Sequence, residues 1–120
     1  MIHIKDRDVL IEVMRAPFHE TLIDVLRWIE QYYPGRMTIT SGHRNGDPGV
    51  HGQIPCRAVD LRSRNYTNPR GLEDHINVAW QYDPVRPDLS VCLLHNIGSG
   101  MHFHIQVCDK TYNREGNHVA

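Results

Sequence analysis

Apolar residues recur at Phe18, Leu22, Val25, Leu26, Ile29 and Tyr33, the three-and-four spacing of an amphipathic helix. Pro17 opens that segment and Pro34-Gly35 ends it. Upstream, Val9–Val13 reads as a short extended stretch. Downstream, Met37-Thr38-Ile39-Thr40 alternates apolar and polar side chains and stops at Ser41-Gly42, which predicts a strand. His43–Pro55 carries Gly46, Pro48, Gly49, Gly52 and Pro55 beside Asn45 and Asp47, the composition of a long irregular loop. Loops of that length in small domains tend to carry function. Arg57–Ser63 predicts a second strand, Asn68-Pro69-Arg70-Gly71 a turn, and Leu72–Gln81 a helix with Leu72, Ile76, Ala79 and Trp80 inward. The two prolines of Asp83–Asp88 break it. Ser90–Leu94 and Met101–Val107 predict two further strands joined by the loop Asn96–Gly100. The order predicts an α+β fold, a small antiparallel sheet with flanking helices. Neither a repeat nor a linker-like tract divides the chain, so residues 1–120 are expected to form a single domain.

Composition narrows the function more than the fold. With 40% hydrophobic and 22% charged residues the chain has a globular balance, and no apolar run approaches the ~18–20 residues that cross a bilayer. No membrane span is expected. The first residues, Met1-Ile2-His3-Ile4-Lys5-Asp6, lack a basic segment followed by an apolar one, so synthesis in the cytoplasm without a signal peptide is the expectation. A net charge of -1 with interspersed signs offers no electrostatic footprint for nucleic acid. A monomer is expected. Cys56, Cys92 and Cys108 have no zinc-finger spacing and read as free thiols. Nine histidines are the one excess, and imidazole is both a metal ligand and a proton carrier near neutral pH.

The histidines fall where chemistry can use them. In Met101-His102-Phe103-His104-Ile105-Gln106-Val107 the alternation puts Met101, Phe103, Ile105 and Val107 on one face, His102, His104 and Gln106 on the other. Two imidazoles then stand on a rigid platform. Val59 and Leu61 likewise oppose Ala58, Asp60 and Arg62, so Asp60 joins the histidines if the strands are neighbours. An Asp in a strand needs a partner when buried; a cation supplies one, and Arg57, Arg62 or Arg64 are alternatives. His51, nine residues before Asp60 in the Gly-rich loop, offers a third ligand. Two His and one Asp match a catalytic zinc site, which keeps one position open, whereas structural sites are filled by four protein groups.

Ser41-Gly42-His43-Arg44, then His51 with Arg57-Ala58-Val59-Asp60-Leu61, then His102-Phe103-His104 together resemble the successive signatures of the M15-type D-Ala-D-Ala metallopeptidases. That family includes bacterial carboxypeptidases and phage endolysins and shares its core fold with the hedgehog signalling domain. The resemblance spans Ser41 to Val107. It implies that His51, Asp60 and His104 bind zinc, that His102 lies beside the metal near the reacting carbonyl, and that Arg44 binds a substrate carboxylate or carbonyl. It implies hydrolysis of an amide bond in peptidoglycan stem peptides, by a lysin of phage or prophage released to act on the cell wall. Two departures stand out. The interval from His51 to Asp60 is nine positions where the family has seven, and Ser99-Gly100-Met101 lacks the carboxylate that often serves as general base. His102 and His95 are then the candidate proton acceptors, with His43 a poorer one. The rivals are a non-catalytic zinc domain that binds cell wall or a partner protein, a metal-free protein with a histidine cluster, and a cysteine hydrolase using Cys56 with His51 or His43.

Overall fold

A computed structural model describes residues 1–96, 98 and 100–115. In chain order it contains β1 (His3–Ile4), α1 (Arg7–Arg15), α2 (Glu20–Tyr32), β2 (Thr38–Ser41), a 3₁₀ turn at Val50–Gly52, β3 (Ala58–Arg62), α3 (Pro69–Ala79), β4 (Trp80–Gln81), β5 (Cys92–Asn96), β6 (Met101–Gln106) and β7 (Tyr112–Asn113). Five strands form one sheet in the order β1-β2-β3-β6-β5, and β4 pairs with β7 in a separate ribbon. The α+β class holds. The sheet is mixed rather than antiparallel, because β1 runs parallel to β2 while the other pairings are antiparallel.

Val9–Val13 lies in α1 and is not extended. The cause is a cap: the Asp6 carboxylate accepts the Val9 backbone N–H at 2.9 Å, satisfying one of the orphan donors of a first turn. Val9 and Val13, four apart on one face, both turn toward the core, a spacing that also fits a short strand. Pro17 does not open α2. Pro17 and Phe18 instead pair with Cys56, whose N–H donates to the Pro17 carbonyl at 2.8 Å and whose carbonyl accepts from His19 N–H at 2.9 Å. The His19 ring then caps the helix through Thr21 N–H, and α2 begins at Glu20. Asn68-Pro69-Arg70-Gly71 is the start of α3 and not a separate turn: Asn68 Oδ1 accepts from Gly71 N–H at 3.1 Å and Pro69 occupies the first turn. Trp80 and Gln81 leave that helix to form β4. Of the loop at 96–100, positions 97 and 99 lie outside the described residues, as does His118.

Helices α2 and α3 cover one face of the sheet. Leu22, Val25, Leu26 and Ile29 from α2 and Leu72, Ile76 and Ala79 from α3 bury against Val59, Leu61, Phe103, Ile105 and Val107. Phe103, at no solvent exposure, stacks edge-on against Tyr66; burying such a ring contributes on the order of 1.5–3 kcal/mol. Met101, expected on the same face, is exposed at the strand end. With the odd positions of β6 fixed in the core, its even positions must face away from α2 and α3.

Candidate metal centre

Register delivers the site. Asp60 on β3 stands opposite His104 on β6, and Arg62 opposite His102. On the other side of β6, His95 stands opposite His102 and Leu93 opposite His104. The loop after β2 folds back so that its 3₁₀ turn carries His51 over β3. Gly52 permits that close return, since a Cβ there would collide with the Asp47 carbonyl.

His51, Asp60 and His104 form a group that could hold a metal ion, with one ligand atom from each lying within 4.8 Å of the others. His51 Nε2 lies 3.3 Å from Asp60 Oδ1, and His104 Nδ1 lies 3.2 Å from the same oxygen. Ligands bonded to tetrahedral zinc at 2.0–2.1 Å are separated by roughly 3.3–3.4 Å, so both spacings match a tetrahedral edge. Among the described residues no fourth His, Cys, Asp or Glu belongs to the group.

The hydrogen bonds around the group decide which ring nitrogens carry protons. A carbonyl only accepts, so the 2.9 Å contact between His51 Nδ1 and the Gly42 carbonyl puts the proton on Nδ1 and leaves the Nε2 lone pair aimed at Asp60. Gln106 Nε2 donates to the Ser90 carbonyl at 2.9 Å, which turns its Oε1 to His104 Nε2 at 3.2 Å. The Nε2 proton is thereby fixed, and His104 presents its Nδ1 lone pair to Asp60. Two imidazole lone pairs and a carboxylate oxygen converge, and only added protons or one cation can reconcile them. Second partners that hold ligand rings in one tautomer are the usual support of a metal site.

Arg44 fills the other side of Asp60. Its Nη2 donates to Oδ2 at 2.8 Å and its Nε to Ser41 Oγ at 2.9 Å, while the Arg44 backbone N–H donates to the His51 carbonyl at 2.8 Å. One residue thus ties β2, the loop and β3 together. Ser41 Oγ and Gly42 N–H in turn donate to Glu12 on α1. Where added protons rather than a cation reconcile the lone pairs, burial would still raise the Asp60 carboxyl, but hydrogen bonds from the protonated His104 and His51 rings, with their charge, outweigh it and hold the group well below the usual carboxylate range.

His102 shares the face of His104, with Nδ1 3.4 Å from Thr40 Oγ1. Its pKa is lowered first by burial, then by Lys5, His95 and Arg62, against the opposing charge of Asp60. The His95 ring centroid lies 6.1 Å from that of His104. His43 is buried with no partner for Nδ1 and stands outside the metal group. Cys56 is buried, its Sγ donating to the Ala58 carbonyl at 3.2 Å, and burial pushes the thiol pKa up. Neither Arg57, Arg62 nor Arg64 pairs with Asp60; Arg57 donates instead to the Val107 carbonyl at 2.8 Å and to Tyr82 Oη at 2.7 Å. The roles of Gly42, Ser41 and Gln106 as supports have no chemical signature in sequence, although the alternation does put Gln106 beside His104.

Neither a protein-family model, a curated protein nor a solved structure matches the chain.

Proposed function

We propose that the chain is a zinc-dependent peptidase that hydrolyses an amide bond in the stem peptides of bacterial peptidoglycan, as a carboxypeptidase or as an endopeptidase of phage or prophage lysin type. The observation that carries the reading is the convergence of His51 Nε2, His104 Nδ1 and Asp60 Oδ1 with tautomers set by Gly42 and Gln106. Two imidazoles and a carboxylate suit zinc, and three protein ligands are the count of catalytic rather than structural sites. The likeness of Ser41-Gly42-His43-Arg44, His51 with Asp60, and His102-Phe103-His104 to the D-Ala-D-Ala metallopeptidases supports the substrate class.

When bound, zinc supplies Lewis acidity, which activates water near neutral pH and polarises an amide carbonyl. The chain's own residues do the rest. Arg44, 42% exposed in its side chain, orients Asp60 and offers its remaining donors to a substrate carbonyl or carboxylate. His102, kept toward its neutral form by burial, accepts a proton at the imidazole and returns it to the departing amine. His95, opposite it across β5 and β6, is the second group able to move that proton.

A second reading, a zinc-binding module without catalysis that binds cell wall or a partner protein, draws on one observation. The group contains a single carboxylate, already a ligand, so no second acid stands ready as general base among the described residues of the cluster. Incubation of the zinc-loaded protein with purified peptidoglycan separates the two. Release of new amino termini, abolished by chelation and restored by zinc, is expected; stoichiometric zinc with no released peptide favours the binding module.

A further inference from the structure

A cleft of about 420 Å³ opens beside the metal group, lined by Lys5, Thr40, Arg62, Ser63, Arg64 and His102 among others. Its place follows from register. Arg62 faces His102 across β3 and β6 as Asp60 faces His104, so Arg62 lies two residues along the same sheet face, about 7 Å from Asp60. Lys5 comes from the residue after β1, and Arg62 and Arg64 from the end of β3 and the turn that follows it, so two separate segments bring three cations to the same opening.

Among the described residues no carboxylate lines this cleft. Among the described residues no ion pair involves Lys5, Arg62 or Arg64. Gathering three cations without a counter-charge is unfavourable in the free protein and becomes favourable once an anion enters. Elsewhere in the site the arginine is already matched: Arg44 is committed to Asp60. The charges at the cleft are therefore surplus to holding the metal ligands.

We propose that this cleft is the subsite for a carboxylate that the substrate carries within one or two residues of the bond to be cut. The identity of that substrate as a peptide rests on the peptidase reading, whereas the anion preference of the cleft stands on its lining alone. Its size is that of a small-ligand pocket, and the planar guanidinium of Arg62 suits bidentate pairing with a carboxylate. A nucleic acid would need many phosphate contacts along a basic surface, and the chain, at net charge -1, has three cations here rather than a stripe.

The test uses the metal-free full chain, so that binding is read apart from hydrolysis. Backbone amide shifts are followed by NMR while titrating a synthetic stem pentapeptide in three forms: all carboxylates free, only the C-terminal carboxylate amidated, and only the internal carboxylates amidated. One amidated form is expected to bind at least tenfold more weakly, with shifts centred on Lys5, Arg62 and Arg64, and the form that loses affinity identifies which carboxylate docks. Arg62→Gln and the exposed double variant Lys5→Gln/Arg64→Gln should each erase that preference. Equal binding of all three peptides, preference retained in both variants, or tighter binding of a short oligonucleotide at physiological salt overturns the proposal. Carboxylate preference without hydrolysis after zinc loading keeps the subsite and removes the peptidase; hydrolysis indifferent to amidation does the reverse.

Discussion

Arg44 and Asp60 divide one carboxylate between two tasks: Nη2 of Arg44 holds Oδ2 at 2.8 Å, while Oδ1 faces His51 and His104 at 3.3 and 3.2 Å. Side-chain exposures of 42% and 4% make this a buried anion reached by a half-exposed cation. The arrangement leaves Oδ1 as the oxygen available to a metal. Loss of an outer partner typically costs 10–100-fold in metal affinity, so Arg44→Gln is expected to weaken zinc binding by about that factor while the fold persists. Arg44→Lys should recover only part of it, since a single ammonium cannot span both Asp60 and Ser41 as the fork does. Competition against a chromophoric chelator measures both.

Gln106 acts on the other ligand. Its amide is fixed by the Ser90 carbonyl and fixes His104 in turn. Gln106→Leu removes the acceptor for Nε2–H and lets the ring adopt the competing tautomer. Zinc affinity is expected to fall about tenfold, with little change in thermal midpoint because Gln106 is only partly buried. An unchanged affinity would mean that β6 packing alone orients His104.

Alternation along β6 and β3 made the ligand-bearing face legible: Phe103, Ile105 and Val107 are buried on one side, and Asp60 meets His104 in register on the other. What the sequence hid has physical causes. The Asp60 partner is Arg44, sixteen residues away in a loop, whereas Arg57, Arg62 and Arg64 are nearer in sequence; only the fold-back of the loop reverses that order. Gly42 supports His51 through a backbone carbonyl, which every residue possesses. Val9 and Val13 satisfy both helical and short-strand spacing, and the Asp6 cap that decides between them is a single hydrogen bond. The parallel pairing of β1 with β2 rests on two residue pairs, too short a run for any periodicity.

Acid should destabilise the metal-free protein through Asp60. Its folded pKa is depressed from the ordinary 3.8, so below that value the unfolded chain takes up the proton before the folded one does. Unfolding free energy therefore rises with pH in that window. The contribution is fully present above about pH 4 and is lost as pH falls toward the folded value. Urea unfolding between pH 2 and pH 5 should show this slope below about pH 4 and a plateau above it, and Asp60→Asn should flatten the slope.

Cys56 separates metal from thiol chemistry. The side chain is buried, donates to the Ala58 carbonyl and has its pKa raised by burial, the opposite of an activated nucleophile. Cys56→Ala should therefore leave zinc stoichiometry and peptide release unchanged while lowering stability by about 1 kcal/mol for the lost sulfur packing and hydrogen bond. Abolished hydrolysis with zinc still bound would point to a thiol mechanism.

The X-ray absorption spectrum of the zinc-loaded protein tests the site most directly. One zinc per chain is expected, in a shell of four or five nitrogen and oxygen atoms at about 2.0–2.2 Å with the outer-shell scattering of two imidazoles. A sulfur at about 2.3 Å, a single imidazole, or zinc lost on dialysis would contradict a centre built from His51, Asp60 and His104.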